Sequence, residues 1–183
     1  GKISKYTFGN ERLKPEIVSL KPDMAYDLAS VSKVVGTGTV LINLILSGQV
    51  ALDALLTDYY PEFEGQGAES LTIRQLVTHT SGINPFIKNR NDLSYSELRA
   101  ALNRVDASLD KVFHYSDVNF ILLGFMLEAM YQKDLSAILQ DQVFKPFNMT
   151  HTGFIAPEHT VSTAWELPKG VVHDPKARVL GNH

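Results

Sequence analysis

Ser30 and Lys33 stand three residues apart in the stretch Asp27-Leu28-Ala29-Ser30-Val31-Ser32-Lys33. Residues three apart on a helix share a face, so this hydroxyl and this amine would lie side by side. A serine hydroxyl is a weak nucleophile and needs a neighbouring base. A lysine amine is normally protonated, but burial or a nearby cation frees its lone pair. The pair therefore predicts a serine nucleophile with neutral Lys33 as its base. Spacing alone is not specific, because Ser108 and Lys111 repeat it. Context separates the two copies. Ser108 lies in the polar stretch Asp106 to Lys111, whereas Ser30 opens the most apolar run in the chain.

Tyr115 is the second candidate. It sits at a turn before a helix, where a side chain is both exposed and rigidly held. A cation nearby favours its phenolate, so it can relay a proton between the serine and a leaving group. Asp117 can accept a hydrogen bond from a lysine or a substrate amide, or simply favour a helix N-terminus. His79 and Ser81 read as turn chemistry, since the chain has no Gly-x-Ser-x-Gly elbow. His173-Asp174 lacks a third ligand at metal spacing. There is no phosphate loop and no dinucleotide glycine fingerprint.

The elements that must position these residues are mostly helical. Ser30 to Leu46 reads as a central helix covered on most sides, with Val34, Val35, Val40, Leu41, Leu44 and Ile45 on its apolar side and Gly48 closing it. Capping boxes at Thr72-Gln75 and Ser94-Glu97 open helices through Val77 and to about Val105. Further helices run from Val118 to Tyr131 and from Asp134 or Ser136 to about Phe144. A strand is expected over Lys2 to Gly9, a polar connection over Glu11 to Asp23, an extended segment over Met24 to Leu28, and loop from Thr150 onward. One strand cannot form a stable sheet, so its partners are expected outside this chain.

Composition narrows the class. The 183 residues are 44% hydrophobic and 20% charged with a net charge of −3, as in an ordinary globular protein. No basic stripe appears, which argues against nucleic acid. The absence of cysteine removes disulfides, thiolate metal sites and a cysteine nucleophile. No run reaches the ~18 apolar residues of a membrane span.

Four segments, in order, resemble the serine beta-lactamase and penicillin-binding-protein superfamily, in particular its class C beta-lactamase, D,D-peptidase and esterase branch. They are Asp27–Lys33, Leu71–Gly82, Phe113–Asp117 with Phe120–Gly124, and Val172–Ala177. The resemblance implies an α+β, beta-lactamase/transpeptidase-like fold, mainly its helical part with an incomplete antiparallel sheet. It implies one such domain over residues 1–183, truncated at both ends and lacking the C-terminal sheet strands.

The implied roles are Ser30 as acylated nucleophile, Lys33 as its base, Tyr115 as second acid/base and Asp117 as substrate-binding residue. Asp117 stands where the family pattern usually has Asn. Ionised Asp only accepts hydrogen bonds, which leans away from tight beta-lactam recognition and toward an esterase or peptidase. No edge strand carrying the family's third motif, Lys/His-Thr/Ala-Gly, is expected in this chain. Its loss would remove an oxyanion donor worth on the order of 10²–10³ in rate. The expectation is a serine hydrolase acting on a small-molecule or peptide acyl substrate, with no metal or organic cofactor, and the resemblance favours an extracytoplasmic location over a cytoplasmic one. Its rival is a non-catalytic penicillin-binding-like scaffold that binds a peptidoglycan-type peptide or a protein partner. A helical interaction domain with chance motifs would instead leave Ser30 and Tyr115 far apart.

Overall fold

The structure is a computed structural model that describes residues 4–87, 92–108, 112–164, 166–167 and 171–181. It begins with a short antiparallel pair, β1 (Asn10–Arg12) and β2 (Val18–Ser19), with Asn10 opposite Ser19 and Arg12 opposite Val18. This corrects two expectations. Of the Lys2–Gly9 strand, Lys2 and Ile3 lie outside the described residues and residues 4–9 are not strand; β1 starts at Asn10, and its partner lies within the supposed polar connection. Pairing across a short loop decided the strand, not the local propensity of Tyr6 and Phe8, which stay exposed. Ala25, in the segment read as extended, forms a parallel bridge with Thr160.

The chain then enters a π-helical segment, Lys33–Gly38, continuous with α1 (Thr39–Leu46). The wide turn is held by Thr39, whose amide and hydroxyl both donate to the Val34 carbonyl, the hydroxyl at 3.0 Å. Such turns recur at functional sites. Gly36 permits close packing here: a Cβ would meet Leu139 Cδ1 at 2.8 Å. Gly48 closes the helix at φ +75. The expectation of a helix covered on most sides does not hold. Val40, Leu41 and Leu44 are buried, but Val34 is 68% exposed, and Ile42 and Leu46 are exposed too. The reason is that only one side of the helix has packing partners among the described residues.

The following helices are α2 (Ile73–Val77), α3 (Tyr95–Leu102), α4 (Asp117–Tyr131) and α5 (Leu135–Leu139), the last continuing as a π-helical segment, Gln140–Phe144. Both capping boxes form, with Thr72 and Ser94 accepting from the Gln75 and Glu97 amides. The α3 helix stops at Leu102, short of Val105. The central element is α4. Val118, Leu122, Leu123, Phe125, Met126 and Leu127 are all fully enclosed, as expected of a helix apolar all round. Each contributes about 1.5–3 kcal/mol through burial. It packs on α2, α5 and the π-helical segment at Lys33. This brings the N-terminus of α4 to the start of the Ser30 helix.

The tail is not all loop. Residues Pro175–Leu180 form α6, which packs on α3. Its start was legible in principle: Asp174 caps it, accepting from the Lys176 and Ala177 amides at 2.7 and 3.0 Å, and Pro175 takes the first helical position.

Candidate active site

Ser30 sits at the mouth of the long helix, after a tight local turn. The Asp27 carboxylate accepts from the Ala29 amide at 2.8 Å, and Ala29 holds a left-handed φ of 45. A non-glycine residue there stores strain on the order of 1–2 kcal/mol, and such strain clusters at functional sites. One helical turn on, Lys33 Nζ donates to Ser30 Oγ at 2.9 Å.

Tyr115, 85 residues away in sequence, donates from its hydroxyl to the same Ser30 oxygen at 2.9 Å. Tyr115 is 46% exposed, and its ring is held by His79. The two rings stack with centroids 4.4 Å apart, and the His79 carbonyl accepts from the His114 amide at 2.8 Å. His79 itself is fixed at φ 55. Its Nδ1 accepts from the Ser116 amide at 3.3 Å and lies 3.0 Å from the Asn119 amide nitrogen. Asn119 also accepts from Ser81 at 2.7 Å. Two donors on Nδ1 require a neutral ring. Consistently, burial first, and the Lys33 charge second, hold the His79 pKa below its usual value. The His-Thr-Ser-Gly turn thus carries Tyr115 into register.

Asp117 opens α4 and pairs with Lys33 at 2.7 Å. Its other oxygen faces Lys176 at 3.4 Å. Burial alone would raise the Asp117 pKa, but the two ammonium groups outweigh it and hold it low. Lys33 shows the mirror image. Burial, the largest single influence, acts to lower its pKa, but the bonds and charges of Asp117 and Tyr115 together raise it. This corrects the expectation of a neutral Lys33: a carboxylate at 2.7 Å keeps the resting amine an ammonium. Asp117, expected to face substrate, has both oxygens engaged by lysines.

Sequence reasoning missed Lys176. It is only 6% exposed, and its amine also lies 3.5 Å from Asp174. Its place in His173-Asp174-Pro175-Lys176 was visible, but no spacing tied it to Asp117, 59 positions earlier. The second Ser-x-x-Lys copy ends at Lys111, outside the described residues. Among the described residues no cluster of His, Cys, Asp and Glu forms a metal site. No helix there is long and apolar enough to cross a membrane.

The geometry is that of a serine with a lysine and a tyrosine on its oxygen, mounted on a helix-rich body. Comparison with known proteins gives the family and the fold. The sequence model of the Beta-lactamase family matches residues 8–183, and the chain belongs to that family. Its fold is beta-lactamase/transpeptidase-like, helix-rich with a small two-stranded sheet. The chain is 29% identical over 150 residues to Protein flp of Staphylococcus aureus (strain COL), covering 75% of this chain and 29% of that protein. Among solved structures it is similar to a class C beta lactamase, with a TM-score of 0.69 and 20% identity over 84% of this chain and 43% of that one. It is also similar to the D-amino acid amidase of Ochrobactrum anthropi SV3, with a TM-score of 0.64 and 22% identity over 84% and 45% of the two chains. The chain therefore spans less than half the length of these proteins. Family and structural neighbours alike are hydrolases.

Proposed function

We propose that this protein is a serine hydrolase that works through a Ser30 acyl-enzyme on a carboxylic ester or a small peptide amide. The observation that carries this reading is the meeting of Lys33 Nζ and Tyr115 Oη on Ser30 Oγ, each at 2.9 Å, from separate elements. In acylation, Ser30 Oγ bonds to the acyl carbon and the bond to the leaving group breaks. The serine proton passes to Lys33 in its deprotonated form. Tyr115 gives its proton to the leaving group and is reprotonated from Lys33. Water then attacks the acyl carbon, releases the acid, and returns a proton to Ser30 Oγ. The start of the helix helps to stabilise the developing oxyanion. No step calls on a metal or organic cofactor. Asp117 supports an esterase or peptidase over a dedicated beta-lactamase, because a carboxylate engaged by two lysines stands where the family pattern has Asn, and it cannot donate to a substrate amide carbonyl.

The test is intact mass after incubation of the full-length protein with a fluorophosphonate and with a penicillin, against Ser30→Ala. A fluorophosphonate adduct lost in Ser30→Ala supports the nucleophile, and penicillin labelling narrows the substrate toward peptidoglycan-like amides. No adduct with either probe would overturn the reading. It would favour a non-catalytic binding scaffold, which the ammonium form of Lys33 makes the second reading.

A further inference from the structure

We propose that Lys176 is a positioning residue for the Ser30 nucleophile, acting through the carboxylate that it shares with Lys33. This rests on the reading of Ser30 as the acylated group. A lysine is rarely buried unless paired, because desolvating its charge is costly. Here the amine lies 3.4 Å from Asp117 Oδ2 and 3.5 Å from Asp174 Oδ2, while Lys33 lies 2.7 Å from Asp117 Oδ1. The two Lys176 contacts are too long for tight hydrogen bonds, so what Lys176 supplies is charge. Asp174 Oδ1 is already engaged by the first amides of α6. The cluster thus holds two ammonium groups against two carboxylates.

The neighbouring charges are otherwise engaged. On α3, which packs against α6, Arg99 pairs with Glu128 and bonds Tyr95, and Glu97 caps its own helix. On α6, Arg178 binds the Val172 and His173 carbonyls. On α2, Arg74 pairs with Asp53. His79, beside Tyr115, is neutral. Among the described residues, Lys176 is therefore the charge that offsets Asp117 apart from Lys33 itself. Without it, Asp117 would act on Lys33 alone, and the cluster would hold its proton more tightly. Lys176 reaches Lys33 through Asp117, whose two oxygens lie 3.4 and 2.7 Å from the two amines, and removing a charge at such range from a shared partner shifts a pKa by about one unit. Whether Lys33 or Tyr115 takes the Ser30 proton, loss of the Lys176 charge disfavours the deprotonated base.

The experiment measures the rate of fluorophosphonate labelling of the full-length protein between pH 6 and 10. Wild type, Lys176→Gln, Lys176→Arg and Asp174→Asn are compared, with folding checked by circular dichroism. Lys176→Gln is expected to displace the rising log-rate line by about one pH unit to the alkaline side, roughly ten-fold slower at fixed pH. Lys176→Arg should track wild type. Asp174→Asn keeps a helix-capping side chain and removes a negative charge, so it should speed labelling. It also keeps the test open if Lys176→Gln fails to fold. A purely structural Lys176 would give no opposed shifts. Labelled wild type with unmoved lines in folded Lys176→Gln or Asp174→Asn would overturn this proposal alone. An unlabelled wild type would overturn the serine-hydrolase reading as well.

Discussion

Replacing Asp117 by Asn is the sharpest perturbation of this site, because it changes a charge and almost no volume. The carboxylate lies 2.7 Å from Lys33 Nζ and 3.4 Å from Lys176 Nζ, with the Asp117 and Lys33 side chains 31% and 17% exposed. A partly buried opposite charge this close moves a pKa by about 1–3 units, and Asp117 divides its effect between two partners, so about 1–2 units falls on Lys33. Below that pKa the deprotonated fraction grows ten-fold per unit. Asp117→Asn should therefore accelerate fluorophosphonate labelling about 10- to 100-fold at neutral pH. It should also destabilise the fold by about 1–3 kcal/mol, because Lys176 keeps only Asp174 and α4 loses a first-turn acid. The assay pairs intact-mass labelling rates from pH 6 to 10 with a urea unfolding midpoint. Equal or slower labelling at every pH in a folded variant would refute the reasoning, since Asp117 would then not be the group that restrains the Ser30 base.

Two further expectations concern the turn that carries Tyr115. Gly82 has a φ of +68, and a Cβ there would overlap the Ser108 hydroxyl. Gly82→Ala should therefore cost about 2 kcal/mol and slow Ser30 labelling, read by urea midpoint and intact mass; an unchanged midpoint would contradict this. Acid should also loosen the fold through His79. Its folded-state pKa lies below the ordinary 6.5, so the unfolded chain binds the proton first. That contribution is fully present above pH 6.5 and is lost as pH falls through the lowered folded-state value. Asp117, held below 3.8, adds a second loss at lower pH by the same sign. The urea midpoint should drop between pH 7 and 5, and His79→Gln should flatten that drop. An equal drop in both proteins would assign the effect elsewhere.

Local chemistry made much of this chain legible without coordinates. Thr72 and Ser94 cap their helices because their hydroxyls sit three residues from the amides they serve, a distance fixed by helix geometry. Ser30 and Lys33 meet for the same reason, one turn apart on one face. The helix after Tyr115 followed from its unbroken apolar pattern. Short strands did not follow, because β1 exists only through its pairing with β2. The exposure of Val34, Ile42 and Leu46 was equally hidden, since periodicity shows that a side is apolar but not what covers it.

The sequence by itself determined the serine–lysine pair, the caps and the apolar helix that becomes the centre of the body. Only tertiary structure decided that Tyr115 reaches Ser30, that His79 is the plate behind it, and that Lys176 shares Asp117 with Lys33. These contacts join residues dozens of positions apart. Their geometry depends on how α4 and α6 pack, which no local spacing encodes. The charge state of Lys33 belongs with them, because a pKa is set by the sum of burial and neighbouring charges once the chain has folded.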